Sequence, residues 1–182
     1  KKYLGFLKMV NLESDRLQLR ELASTDVTNN YVSWLNDAEI NQYLESRFCK
    51  YKHEDVKQFV EDSRCCLHTV LFGIFVKKNM KHIGNIKIGP INLNHKRASI
   101  GILIGDKNEW GNGYASEAIQ LVTEFGFEEL SLMKITAGCY ESNKGSKKAF
   151  EKSGYEVEGF FKSHVETQYG REGSWQLGII SC

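Results

Sequence analysis

Proline is almost absent from this chain, with a single residue, Pro90, among 182. With no Gly/Ser-rich linker and no internal repeat either, nothing marks a boundary. Residues 1–182 therefore read as one domain, long enough to bury a proper core. Net charge is equally scarce: the formal balance is +1, without the basic excess of a general nucleic-acid or membrane-surface binder. The five cysteines (Cys49, Cys65, Cys66, Cys139, Cys182) are odd in number and form no CxxC pair. Neither a disulfide framework nor a zinc site is expected, and reduced thiols in a cytoplasm are the simplest reading. His53, His68, His82, His95 and His164 show no ligand spacing, so no metal is expected. No run of about 18 apolar residues exists, and no membrane span is expected. The opening KKYLGFLKMV sets lysines before a short apolar stretch, but Gly5 and Lys8 break it and no small-residue cleavage site follows.

What is present is patterned. LQLREL (17–22) alternates as a half-buried strand does. Thr25 and Asp26 are candidate caps for a helix running to about Leu35, and Asp37 for a second, AEINQYL, with Ile40, Tyr43 and Leu44 inward. HEDVKQFVEDSRCCL (53–67) reads as a third helix, with Val56, Phe59, Val60, Cys66 and Leu67 as its apolar set. TVLFGIFVK (69–77), HIGNIKIGPINL (82–93) and ASIGILIG (98–105) follow as an antiparallel meander. From Tyr114 the period becomes 3.6, with Ala115, Ala118, Ile119, Val122 and Phe125 on one face of a four-turn helix. KITAGCY (134–140) is a buried strand, and SNKGSKKAFEKSG (142–154) a short helix closed by Gly154. YEVEGFFKSHVE and GSWQLGII make a final hairpin, whose apolar strands could support a dimer. The order predicts an α/β fold with a mixed sheet rather than regular βαβ alternation.

Between the third strand of the meander and the long helix lies DKNEWGNGYASEA (106–118). Gly111 and Gly113 fit a plain strand-to-helix turn. They fit equally a backbone that must approach a bulky anion where a Cβ would intrude. The helix start offers N–H groups without intrahelical partners and partial positive charge, which suits a pyrophosphate. No GxxxxGK[ST] run occurs, so this is not a P-loop. Gly111-Asn112-Gly113-Tyr114-Ala115-Ser116 lacks the third glycine of a dinucleotide fingerprint and follows antiparallel strands.

The stretch resembles the acetyl-CoA loop of the GNAT superfamily of N-acetyltransferases, motif [RQ]xxGxG[AG], read here from Asn108 through Ala115. WLNDAEINQYL, IGNIKIGPIN, ASIGILIGDKNEWGNGYASEAI and NKGSKKAFEKSGYEVEG extend the resemblance over Leu12 through Gly178. They look like the branch containing ribosomal-protein N-terminal and amino-sugar acetyltransferases. The resemblance implies a GNAT-like, mostly antiparallel central sheet with helices on both faces. Asn108 departs from the motif's Arg or Gln, with Lys107 a possible substitute. By position, Ile102, Leu103 and Ile104 would pair with the pantetheine arm of acetyl-CoA, and a bulge there would offer an N–H to the oxyanion. Glu109, Trp110, Gly111, Asn112, Gly113, Tyr114 and Ala115 would hold the pyrophosphate. Asn143 would bond the pantetheine, and Lys144, Ser146, Lys147 and Lys148 lie near the 3′-phosphate or its arm.

The resemblance also implies direct attack of an amine on the thioester, without an acyl-enzyme. That reaction needs a base for the ammonium and, ideally, an acid for the thiolate. Many relatives carry a tyrosine where Phe150 stands and a glutamate where Ser99 stands, so both usual proton handlers are missing. Tyr140, Glu141 and Ser146 are the remaining catalytic candidates; packing for Tyr140 and an ordinary surface position for Glu141 compete with that role. Asn41, Glu45 and Arg47 are the candidate substrate contacts, with Arg47 suited to a phosphate or carboxylate and a surface ion pair as its plainer use. The acceptor expected from the resemblance is an amino group on a nucleotide-linked sugar, with a protein N-terminus as the alternative. A catalytically silent acyl-CoA-binding module is the competing class. The expected partner is a small-molecule or peptide amine, for a cytoplasmic monomer or homodimer that binds neither nucleic acid nor membrane.

Overall fold

The computed structural model describes residues 10–181; the opening KKYLGFLKM and Cys182 lie outside the described residues. Eight strands make one sheet in the order β1-β2-β3-β4-β5-β6-β8-β7. They are β1 (Asn11–Glu13), β2 (Leu17–Glu21), β3 (Val70–Val76), β4 (Lys81–Ile88), β5 (Arg97–Ile104), β6 (Lys134–Tyr140), β7 (Glu156–Thr167) and β8 (Gly170–Ile180). Five helices accompany them: α1 (Asn29–Asn36), α2 (Ala38–Asn41), α3 (His53–Cys65), α4 (Tyr114–Glu128) and α5 (Lys144–Lys152). The sheet is antiparallel except between β5 and β6. The expected mixed, mostly antiparallel architecture is the observed one.

The continuous apolar run of β3 is explained by burial on both faces. Val70, Phe72, Ile74 and Val76 join the core under α4 and α5, whereas Leu71 and Phe75 join a second core with Tyr31, Trp34, Val56 and Val60 of α1 and α3. Successive residues of a strand point to opposite sides, so a strand covered on both sides cannot show polar alternation. On α4, Ala118, Ile119, Val122 and Phe125 are buried as their spacing predicts.

Local chemistry moved several boundaries. Asp26 does not cap a helix: its carboxylate accepts from Arg20 at 2.7 and 2.6 Å and from the Ala23 N–H at 2.9 Å, closing a separate 3-10 turn, Ser24–Asp26. The helix starts one step later, where Thr28 Oγ1 accepts from the Tyr31 N–H at 3.2 Å. Asp37 caps α2 as expected, accepting from the Glu39 and Ile40 N–H groups. That helix stops at Asn41, and Glu45–Phe48 forms another 3-10 turn. α3 ends at Cys65, leaving Cys66 and Leu67 exposed rather than on the buried face; Phe59 is exposed too. β4 ends at Ile88, before Gly89-Pro90. Cys49, Cys65, Cys66 and Cys139 are unbridged.

β5 and β6 pair over three residues only, Arg97–Ser99 with Lys134–Thr136. Beyond Ser99 β5 continues beside β4, and beyond Thr136 β6 continues beside β8, so the sheet forks. Ser99 Oγ and Thr136 Oγ1 lie 2.8 Å apart at the crotch.

Candidate active site

The fork opens into a cavity of about 1000 Å³, at the upper end of the range for small-molecule sites. β5 gives it one wall and β6 with the first turns of α5 the other, while the loop before α4 and the α1–α3 segment close its ends. The Ser99 carbonyl accepts from Gly89 on the β4 side. Strand backbone groups alternate sides; the pairing of Ser99 with Thr136 takes up the Ile100 N–H, so the Ile102 amide is the one that points into the gap. The bulge expected around Ile102–Ile104 is absent, since β5 pairs with β4 in unbroken register from Ile100 to Ile104. The register shift lies one strand over, between Ile74 and Phe75 of β3, where Ile83 of β4 is the extra residue. The Ile83 carbonyl accepts from Gly105 at 2.8 Å and Asp106 at 3.0 Å, which turns the chain out of β5. A donor for an oxyanion therefore comes from an unpaired strand edge rather than a bulge.

Next comes the glycine loop. Gly111 (φ +78°) and Gly113 (φ +81°) are both left-handed, a conformation a side chain would strain. Gly111, Asn112 and Gly113 are exposed, and a Cβ on Gly111 would meet nothing within 4 Å. None of the six N–H groups from Gly111 to Ser116 donates to another group among the described residues. Six free donors at a helix start, five of them on residues that line the cavity, fit a diphosphate. Several loop side chains brace rather than bind. The Trp110 indole donates to the Ile104 carbonyl at 2.8 Å, and Glu109 faces Lys81 at 3.2 Å. Asn112 lies outside the cavity lining, and its Nδ2 donates to Glu109 Oε2 at 3.4 Å. Lys107 cannot replace the motif's arginine: Asp37 at 3.0 Å and Glu39 at 2.6 Å hold it elsewhere.

A residue not singled out from the sequence orders this loop. Arg16, in the β1–β2 turn, donates to the Asn112 carbonyl at 3.0 Å, bonds Glu117 of α4 at 2.8 and 2.5 Å, and lies 4.7 Å over the Tyr114 ring. By taking the carbonyl on the far side, it leaves the N–H row facing the cavity. Nothing in the sequence signals a contact across 96 positions.

On α5, Asn143 Oδ1 caps the helix by accepting from the Ser146 N–H at 3.1 Å. Asn143, Lys144 and Ser146 line the cavity. Lys147 does not: it is drawn to Glu151 at 2.6 Å and lies 5.0 Å over the Trp175 ring. The cavity-facing lysines of α5 are Lys144, Lys148 and Lys152, and none of them makes an ion pair among the described residues. Their i, i+4, i+8 spacing puts them on one helical face, a signal that could have identified Lys152 in the sequence.

Where β6 ends, just before α5, three residues nominated separately meet. The Tyr140 hydroxyl donates to Glu45 Oε1 at 2.7 Å and accepts from Arg47 Nη1 at 2.6 Å. Burial and then the Glu45 hydrogen bond push the Tyr140 phenol above its ordinary value, with Arg47 pulling the other way. Tyr140 therefore keeps its proton at neutral pH and donates it in the hydrogen bond to Glu45. Arg47 spends its guanidinium on Tyr140, the Leu44 carbonyl at 2.8 Å and the Glu166 carbonyl at 2.6 Å. Glu141 accepts from the Gly173 N–H at 3.1 Å outside the cavity lining, and buried Asn41 donates to the Leu35 carbonyl at 2.8 Å. Both are displaced from the roles their positions suggested. Phe150 is buried against Tyr155, whose hydroxyl is within 2.8 Å of Thr123 Oγ1.

The comparisons with known proteins agree with this geometry. A model of the Acetyltransferase (GNAT) domain matches residues 16–156. The chain is 32% identical over 164 residues to an uncharacterized N-acetyltransferase, p20, of Bacillus licheniformis, covering 88% of this chain and 90% of that protein. It is 29% identical to the uncharacterized N-acetyltransferase YoaA of Bacillus subtilis, covering 85% and 87%. Among solved structures, a GNAT-family acetyltransferase from Bacillus anthracis superposes with a TM-score of 0.80 at 23% identity, over 94% of this chain and 98% of that one. A spermidine N-acetyltransferase from Vibrio cholerae, in complex with CoA and spermine, gives 0.81 at 20% identity, over 92% and 96%. Those two structures share its fold. The chain is an acyltransferase and belongs to the GNAT acetyltransferase family.

Proposed function

We propose that the protein transfers the acetyl group of acetyl-CoA to a primary amine by direct attack within the fork. The observation that carries this reading is the row of unpartnered N–H groups at Gly111–Ser116 beside the parted edge of β5. The loop would hold the pyrophosphate, the Ile102 amide the pantetheine arm, and Lys144, Lys148 and Lys152 the 3′-phosphate. Bound there, acetyl-CoA supplies an activated acyl group. One ammonium proton of the acceptor passes to Glu45, held by Tyr140. The C–N bond then forms, the C–S bond breaks, and the second proton leaves with the thiol. The cysteine that lines the cavity, Cys139, favours this direct route over an acyl-enzyme. Burial pushes its thiol up to about 11, so it is not a thiolate at neutral pH. Arg47, nominated for a phosphate, spends three of its five donors on the Leu44 and Glu166 carbonyls and the Tyr140 hydroxyl, which leaves it less free for a nucleotide-linked sugar.

Calorimetry with acetyl-CoA and thiol release with a panel of amines test the reading. Expected are acetyl-CoA binding and amine-dependent thiol release. Arg16→Ala, which frees the Asn112 carbonyl, should weaken binding about tenfold, or roughly 1.4 kcal/mol. Binding without release by any amine would favour a silent acyl-CoA module, and wild-type affinity in folded Arg16→Ala would remove the loop's role.

A further inference from the structure

The acceptor half of the cavity carries a charge pattern that narrows the amine; this inference rests on the fork being the acetyl-transfer site. Three carboxylates line the cavity: Glu39, Glu45 and Glu109. Glu39 is paired with Lys107 and Glu109 with Lys81, so Glu45 is the one outside an ion pair among the described residues. Its Tyr140 hydrogen bond fixes it at the mouth of the fork. The lining also carries Leu35, Leu44, Tyr51, Phe59, Leu71 and Leu103, with Gln42, Tyr43 and Asn85 as polar groups among them. Phe59 is 46% exposed, a ring held partly in water at the cavity rim without a partner ring. Gln42, Tyr43 and Asn85 are bonded already, to the Glu39 carbonyl, Ser142 and His82 respectively, so a hydroxyl-rich body would lose its water here for few replacement hydrogen bonds. The sheet floor adds a positive charge, Lys87, which makes no ion pair among the described residues. With Lys144, Lys148 and Lys152 that makes four unpaired lysines on a lining whose one unpaired carboxylate is Glu45, which suits a single ammonium and opposes a second one.

We propose that the acceptor is a monoamine carried on an apolar body of about ring size, with Glu45 receiving the ammonium and Phe59 covering the body. The probes are 2-phenylethylamine, spermidine and glucosamine, each assayed by thiol release at saturating acetyl-CoA. For 2-phenylethylamine, kcat/KM should exceed that for either other amine by at least about tenfold. Phe59→Ala should raise the KM for 2-phenylethylamine about tenfold and leave the KM for acetyl-CoA unchanged. Faster turnover of spermidine or glucosamine overturns the acceptor class, as does an unchanged KM in Phe59→Ala. Acetyl-CoA binding without turnover of 2-phenylethylamine likewise overturns the class alone. Failure to bind acetyl-CoA at all overturns the transfer reading and takes this inference with it.

Discussion

His82 shows how a single side chain sets a pH limit. Its Nε2 lies 3.0 Å from the Gly84 carbonyl and 2.9 Å from Asn85 Oδ1, so Nε2 carries the proton, and Nδ1 is buried with no partner among the described residues. Tyr31, Trp34 and Phe75 enclose the ring. Charging it would strand a new N–H, and burial holds its pKa below the ordinary 6.5. The unfolded chain therefore binds this proton more readily, and folding stability is lost as pH falls from about 6.5 through the folded value. Denaturant titrations at pH 7.5 and 5.5 should show this loss, and His82→Gln should flatten it; a parallel loss in the variant would assign it elsewhere. Such residue-scale facts were only partly legible. Glu45, Arg47 and Tyr140 were each visible as polar groups between apolar anchors or at a strand end. Their mutual contact spans 93 to 95 positions and carries no local signal.

At the scale of elements, the join of α1 to the end of β5 is the most sensitive. A Cβ on Gly105 would stand 2.1 Å from Trp34 Cδ2, inside a rigid indole that cannot swing aside. Gly105→Ala should cost about 2–3 kcal/mol and lower the Tm by roughly 4–12 °C. Differential scanning calorimetry would read this, and an unchanged Tm would mean that the two elements are not in firm contact. The period of α4 was legible because one uninterrupted face is buried, and β3 as a continuous apolar run because both its faces are. Three kinds of feature were not. The three-residue β1 is too short to show alternation, the 3-10 turns depend on side-chain acceptors such as Asp26, and the shift at Ile83 leaves no mark in composition. Lys147 was misplaced for a related reason: a basic run shows charge but not which helical face looks inward.

For the whole molecule, element order pointed to the fold, yet strand order was hidden, because nothing local places β8 between β6 and β7. The outcome is a sheet whose halves, β1–β5 and β6–β8, are hydrogen-bonded strand to strand through three residue pairs. Acetyl-CoA would touch both. Hydrogen exchange at Ala98–Ile100 and Ile135–Ala137 should slow on adding it by more than exchange within β3 and β4; equal slowing would mean that the halves already move as one. A guest clasped by both plates acts as the missing rungs of the ladder between them. Damage far from any phosphate, as in Ser99→Ala or Thr136→Val at the crotch, would then masquerade as lost affinity, because it loosens the hinge the guest must bridge.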